Sequence, residues 1–220
     1  MTDAVLMDMD GTLFDTEKLS FEGWKLAGEQ LGYPMTAQQI LDFRGRSRTE
    51  NDRLFRSWFG EDAPYWELRK VRTSYMDDWM AKNGIPLKRG LFAMLRSFYA
   101  EGRKTCLATG TAREKAQSYW ERSGILRYLD ATICGDEVNN SKPDPEIFLR
   151  AAAKLELPSE HCFVIEDSPN GVEAARRAGC RIVIIPDLTP PTEAMTDAAE
   201  YVACNLIDAA NYIQKGARNG

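Results

Sequence analysis

The chain has no paired cysteine spacing, no basic excess and no apolar run of membrane-spanning length, and each absence removes a class of protein. Its five cysteines, Cys106, Cys134, Cys162, Cys180 and Cys204, lie far apart and form no C-x-x-C pair, so neither a zinc knuckle nor a redox motif is indicated. Three of them sit inside apolar strand-like runs, where a reduced, buried thiol is expected. A net charge of −5 argues against a general nucleic-acid binder, which carries a basic domain or stripe, so any anionic ligand must be caught locally. Met1-Thr2-Asp3 places no basic region before the first apolar run, which predicts a cytoplasmic protein without a membrane partner. Asn139-Asn140-Ser141 matches a glycosylation acceptor, a chance match in that setting.

What is present is ordinary for a globular protein: 220 residues, 44% hydrophobic and 28% charged, give room for one sizeable core and a smaller second one. The most informative segment is the apolar run Ala4-Val5-Leu6-Met7, which ends in Asp8-Met9-Asp10-Gly11-Thr12. Residues i and i+2 of an extended chain point to one side, so Asp8 and Asp10 can converge at a strand end, and Gly11 then permits a tight turn. Such a pair suits a hard cation and an oxygen nucleophile. Asp-Gly is also a hairpin signal, but Asp15-Thr16-Glu17 reads as a helix start and no alternating return strand follows.

Residues from about 16 to 84 read as almost wholly helical. Phe21, Trp24, Ala27 and Leu31 share a helix face before a Gly32 stop; Thr36 and Gln39 form a capping box; a third helix spans about 49–59; and Leu68, Val71, Tyr75 and Trp79 share a face of a longer helix ending at Asn83-Gly84. From about 88 onward helices alternate with short apolar strands, Thr105–Thr109, Ala131–Cys134, Cys162–Ile165 and Arg181–Ile185, the last element assigned. The fold class expected is α/β: a Rossmann-like parallel sheet with helices on both faces and an inserted all-helical cap. The domains expected are a core of 1–15 with 86–220 and a cap of 16–85.

Ligands of such sheets bind beyond the carboxyl ends of the strands. That rule collects Asp8 and Asp10, Thr109-Gly110-Thr111, Lys142-Pro143 and Glu166-Asp167 around one rim. Singly each has a plain reading: Thr109 as a helix cap, Lys142-Pro143 as a turn, Asp167-Ser168-Pro169 as a cap with proline at the first helical position. Jointly, acids, a hydroxyl and a lysine meet the needs of phosphoryl transfer. Carboxylates would bind Mg²⁺, Lys142 and Thr109 would contact the remaining oxygens, and the lysine would keep the clustered acids ionised.

Four motifs in order, Asp8-Met9-Asp10-Gly11-Thr12, Leu107-Ala108-Thr109-Gly110, Ser141-Lys142-Pro143-Asp144-Pro145 and Ile165-Glu166-Asp167-Ser168-Pro169-Asn170-Gly171, resemble the haloacid dehalogenase superfamily over essentially the whole chain. The resemblance is to the helical-cap branch containing beta-phosphoglucomutase-like proteins and small-molecule phosphatases. It implies that Asp8 is a nucleophile forming an aspartyl-phosphate, that Asp10 is general acid and base, and that Thr109 and Lys142 bind the phosphoryl group. It further implies that Asp8, the Asp10 carbonyl and Asp167 hold Mg²⁺, with Glu166 in or next to that shell, and that Thr12, Gly110 and Thr111 line the substrate. Dehalogenases of the superfamily carry tyrosine where Asp10 stands, which disfavours dehalogenation.

Within the insert, Arg44-Gly45-Arg46-Ser47-Arg48 is a basic cluster. A charge run is usually a solvated face. The resemblance instead implies a loop that contacts the part of the substrate outside the core, with Arg48 suited to clamp a second phosphate or a carboxylate. A beta-phosphoglucomutase has a histidine in the first cap helix where this chain has Ser20, and its single histidine, His161, lies elsewhere. The expected function is therefore a Mg²⁺-dependent phosphatase of a small phosphorylated metabolite, monomeric or weakly dimeric. A phosphosugar mutase and a non-catalytic phosphometabolite-binding protein are the alternatives. Trp58, Phe59, Tyr65 and Trp66 are expected in the cap's own core.

Overall fold

The computed structural model describes residues 4–216, so Met1-Thr2-Asp3, read above for its lack of basic residues, and 217–220 lie outside the described residues. Six strands, β1 (Ala4–Met7), β2 (Thr105–Ala108), β3 (Ala131–Ile133), β4 (Cys162–Glu166), β5 (Arg181–Ile184) and β6 (Tyr201–Val202), form one sheet in the order β3-β2-β1-β4-β5-β6. Every pairing is parallel, as the alternation of helices and apolar runs requires. β1 lies at the centre, with Leu6 opposite Cys106 on one side and Val164 on the other.

Both faces of the central strands are buried, which is why those strands are apolar throughout. Ala4, Leu6, Cys106, Ala108 and Val164 share a core with Ile147, Phe148 and Ala151 of α7 (Glu146–Lys154) and with Val172 and Ala175 of α8 (Pro169–Arg177). On another face of β4, Phe163 meets Tyr212 of α10 (Leu206–Gly216) edge-on, ring centroids 6.5 Å apart, and α10 packs against α5 (Leu91–Ala100). The remaining helices of this unit are α6 (Arg113–Ser123) and α9 (Glu193–Ala198). No helix among the described residues is long and apolar enough to cross a membrane.

Two compact units are present: Met1–Asp15 with Leu87–Gly220, and Thr16–Pro86. In the first, Phe14 and Leu87 form an antiparallel bridge, and Lys88 Nζ pairs with Asp15 (3.4 Å) and with the Asp187 carboxylate. The two chain segments that lead to the insert therefore leave this unit side by side.

The second unit consists of α1 (Thr16–Leu31), α2 (Ala37–Leu41), α3 (Arg48–Phe59) and α4 (Tyr65–Asn83). Its core is aromatic: Trp24 stacks on Tyr65 at 5.6 Å and tilts against Phe43 at 4.9 Å, with Ala27, Ile40, Phe55 and Leu68 completing it. Burying Phe55 or Leu68 contributes about 2 kcal/mol each. Trp58, Phe59 and Tyr65 join this core, but Trp66 is 47% exposed and does not. Two expected faces shift. Leu31, at the last position of α1, is exposed, and α4 buries Tyr65, Leu68, Met76 and Met80, leaving Tyr75 and Trp79 half-covered.

Candidate active site

Asp8 stands one residue past β1, its amide donating to the Ile165 carbonyl at 3.0 Å. The chain then closes a tight loop in which the amides of Leu13 and Phe14 both donate to Met9 and Gly11 N donates to Phe14 O at 2.9 Å. Gly11 sits at φ +85°, and a Cβ there would meet Asp167 Oδ2 at 2.4 Å, so conformation and space both demand glycine.

Glu166 is the last residue of β4 and fully buried. Its Oε2 accepts from the amides of Asp167 and Ser168, both at 2.8 Å, and from the Ser168 hydroxyl at 3.0 Å. Ser168 Oγ in turn accepts from Gly171 N and caps α8, with Pro169 following it. One turn thus both caps α8 and holds the Glu166 carboxylate. Lys142, beside a cis peptide to Pro143, reaches in from the loop after β3. Its Nζ donates to Asp8 Oδ1 at 2.6 Å, Glu166 Oε1 at 2.8 Å and the Ala108 carbonyl at 3.2 Å, which uses all three ammonium hydrogens. The same nitrogen lies 4.9 Å from the Phe148 ring centroid.

Carboxylate oxygens of Asp8, Glu166 and Asp167 all lie within 4.8 Å of one another, and all three residues are buried. The Asp167 Oδ1 atom accepts from the Thr12 hydroxyl at 2.9 Å, so Thr12, expected at the substrate, here orients an acid. Asp10 is outside that trio; its Oδ2 accepts from the Thr111 hydroxyl at 2.7 Å. Thr109 is buried, and its hydroxyl oxygen accepts from the Thr111 amide at 3.1 Å. Next to it, Gly110 is crossed by Gly135, where a Cβ would stand 2.1 Å from the Gly110 carbonyl oxygen.

The electrostatics follow from this burial. Desolvation pushes the Asp8 carboxyl up to about 8, against the pull of Lys142 and helped by the charges of Glu166 and Asp10. Burial draws the Lys142 ammonium down, but the charges of Asp8 and Glu166 and their hydrogen bonds outweigh it, and the group is held above its ordinary value. One ammonium faces three clustered carboxylates, a charge balance and a donor set that suit a small divalent cation. Glu166 has both oxygens engaged by Lys142 and by backbone amides, which leaves Asp8 and Asp167 as the better-placed ligands.

The cap residues named from the sequence lie in the helical unit. Arg44 Nε is 3.8 Å from Glu17 Oε2, Gly45 has φ +70°, and Arg46 Nε donates to the Asp42 carbonyl at 2.8 Å. Ser47 is the N-cap of α3, in a capping box with Glu50, and Arg48 is the first residue of that helix. Ser20 is buried and accepts from Arg72 Nε at 3.0 Å. Sequence reasoning missed Ala108, whose carbonyl holds Lys142, and Phe148 beneath the ammonium. Neither residue type carries a signal for such a contact. It also missed Gly135, for which a glycine at a strand end was the available clue.

A parallel α/β sheet with a helical unit inserted after its first strand, and buried acids and a lysine gathered at its strand ends, defines a class of hydrolases. The chain belongs to the haloacid dehalogenase-like hydrolase family, whose model matches residues 5–185. Among curated proteins it is 33% identical over 177 residues to "Phosphorylated carbohydrates phosphatase" of Thermotoga maritima, covering 80% of this chain and 82% of that one. It is 28% identical over 215 residues to "(DL)-glycerol-3-phosphatase 1, mitochondrial" of Arabidopsis thaliana, covering 93% and 70%. In fold it is similar to the crystal structure of a beta-phosphoglucomutase from Clostridium difficile, with a TM-score of 0.79 at 20% identity over 98% of this chain and 96% of that one.

Proposed function

We propose that the protein is a Mg²⁺-dependent phosphatase of a small phosphorylated metabolite, of the sugar-phosphate or polyol-phosphate kind, working through a phosphorylated Asp8. The observation that carries this reading is the single ammonium of Lys142 bridging Asp8 and Glu166 at 2.6 and 2.8 Å inside the buried acid cluster. Named phosphatases among its relatives act on phosphorylated carbohydrates and on glycerol-3-phosphate, which supports the substrate class.

In this reading an Asp8 carboxylate oxygen attacks phosphorus while the bond to the leaving oxygen breaks, its electron pair staying on that oxygen. Asp10 donates its proton there. Water then attacks the phosphorus of the aspartyl-phosphate and gives a proton to Asp10, and the acyl-phosphate bond breaks with its pair returning to Asp8. Lys142 pulls Asp8 toward the ionised form that the first attack needs, against the desolvation that opposes it, a bound Mg²⁺ would favour the same form, and Thr109 is assigned to the phosphoryl oxygens. Asp8, Asp167 and the Asp10 carbonyl would hold Mg²⁺, which when bound neutralises charge on the transferring group. The basic segment from Arg44 to Arg48 is assigned to the remainder of the substrate, and the chain is divided into a cap domain of 16–85 and a core of 1–15 with 86–220.

The test is phosphate release from an aryl phosphate and a panel of sugar and polyol phosphates. We expect turnover that needs Mg²⁺ and is lost in Asp8→Asn. No turnover by the purified protein would favour a binding role, and an isomerised sugar phosphate without free phosphate would favour a mutase. Ser20, committed to Arg72, stands where a mutase has histidine, and this favours the phosphatase.

A further inference from the structure

Thr111 was expected to contact substrate, but its hydroxyl has one hydrogen, and that hydrogen is given to Asp10 Oδ2 at 2.7 Å. We infer that Thr111 is a positioning residue for the proton carrier, its hydroxyl helping to fix the orientation of the Asp10 carboxyl. This rests on the reading of Asp10 as acid and base.

Both partners are held by their own main chains. The Thr111 amide donates to Thr109 Oγ1 at 3.1 Å, and its carbonyl accepts from Gly135 N at 3.1 Å. Gly135 is pressed so close to Gly110 that no side chain fits between them, which pins the 109–111 segment to the loop after β3. On the other side, Asp10 forms a bridge with Phe14, inside the loop closed by Gly11. The hydroxyl therefore links two fixed backbones, the loop after β1 and the loop after β2.

A carboxylate on a single bond to its stem rotates unless something holds it. The hydrogen bond from Thr111 restrains the Asp10 carboxyl at Oδ2. Without the hydroxyl that restraint is lost, and a less well aligned acid–base group is the kind of fault that costs roughly 10–100-fold in rate.

The experiment compares kcat/KM of Thr111→Val and Thr111→Ser on a sugar or polyol phosphate and on p-nitrophenyl phosphate, whose leaving group departs without a proton. The sugar or polyol phosphate is the one turned over best by the wild type. We expect Thr111→Val to fall roughly 10–100-fold on the first substrate and under about threefold on the second. Thr111→Ser should restore the first, and adding Thr111→Val to Asp10→Asn should cost little more. Thr111→Ala gives the same comparison if the valine variant folds poorly, a point settled by thermal melts. Equal losses on both substrates would mean that the hydroxyl serves the phosphoryl group and would overturn the proposal. If Asp10→Asn itself shows no dependence on the leaving group, the acid–base reading of Asp10 falls, and this proposal with it.

Discussion

Lys142 is the residue on which the buried acids depend, because removing its charge leaves Asp8 and Glu166 unpaired in a site it shields with them. Lys142→Met should lower stability by about 3 kcal/mol in urea unfolding and phosphate release by roughly 10³-fold. A variant with wild-type unfolding and turnover would refute that dependence. The cysteines give a second prediction. Burial pushes Cys106 and Cys180 up to about 12 and Cys134 to about 11, from an ordinary 9.0, whereas Cys204 is exposed. At pH 8 a thiol reagent should modify Cys204 first in the native protein. Raised thiol values favour the neutral form in the fold, so this stability is complete below pH 9 and is lost as pH rises through 11–12. The urea midpoint should fall above pH 9, and more gently in Cys106→Ala. Asp8, Glu166 and Asp167 were legible as candidates because each ends or follows an apolar run, and Lys142 because it lies in the loop after one. Their partners were not: Thr12 meets Asp167 across 155 positions, and nothing in the local sequence of Thr12 announces it.

At the scale of elements, caps and strands were legible where their signals are local. Thr36 and Gln39 make the reciprocal hydrogen bonds that their spacing promised, at 3.2 and 2.8 Å. Thr36→Ala should cost about 1 kcal/mol in urea unfolding, and an unchanged midpoint would remove the cap's importance. The face of α4 was misread because its line runs through a charged residue. Tyr65, Leu68, Arg72, Met76 and Met80 form the stripe, and the arginine lies over Trp24 with its head on Ser20, so a guanidinium masked a buried seam. Beyond residue 185, β6 has two residues and α9 six, too short for periodicity to register, whereas α10, with Leu206, Ala209, Ala210 and Ile213 at helical spacing, was readable and went unassigned. Gly135→Ala drives a methyl into the Gly110 carbonyl, so the 109–111 segment must move. We expect a loss of about 2 kcal/mol together with a fall in kcat, read by urea unfolding and steady-state kinetics on the same preparation.

For the whole molecule, the order of the sheet determines what can meet. β1 lies between β2 and β4, so the acids that follow β1 and β4 become neighbours, and the loop after β3 delivers its lysine between them. Parallel topology and the position of the insert followed from the alternation of helices and apolar runs. The strand order did not, because β1 finds both its neighbours far along the chain, Val5 opposite Thr105 and Ala4 opposite Cys162, and packing rather than local sequence decides that pairing. Chelation with EDTA should abolish turnover and Mg²⁺ should restore it; full activity after exhaustive chelation would contradict the assignment of the acid cluster. In the proposed reaction Asp8 carries the phosphoryl group. It is tested most directly by quenching the enzyme in acid during turnover, digesting it, and weighing the peptide that contains Asp8. A share of this peptide should gain one phosphoryl group, borohydride reduction should mark residue 8, and Asp8→Asn should show neither. Steady turnover with no phosphoryl group on that peptide at any quench time would contradict it.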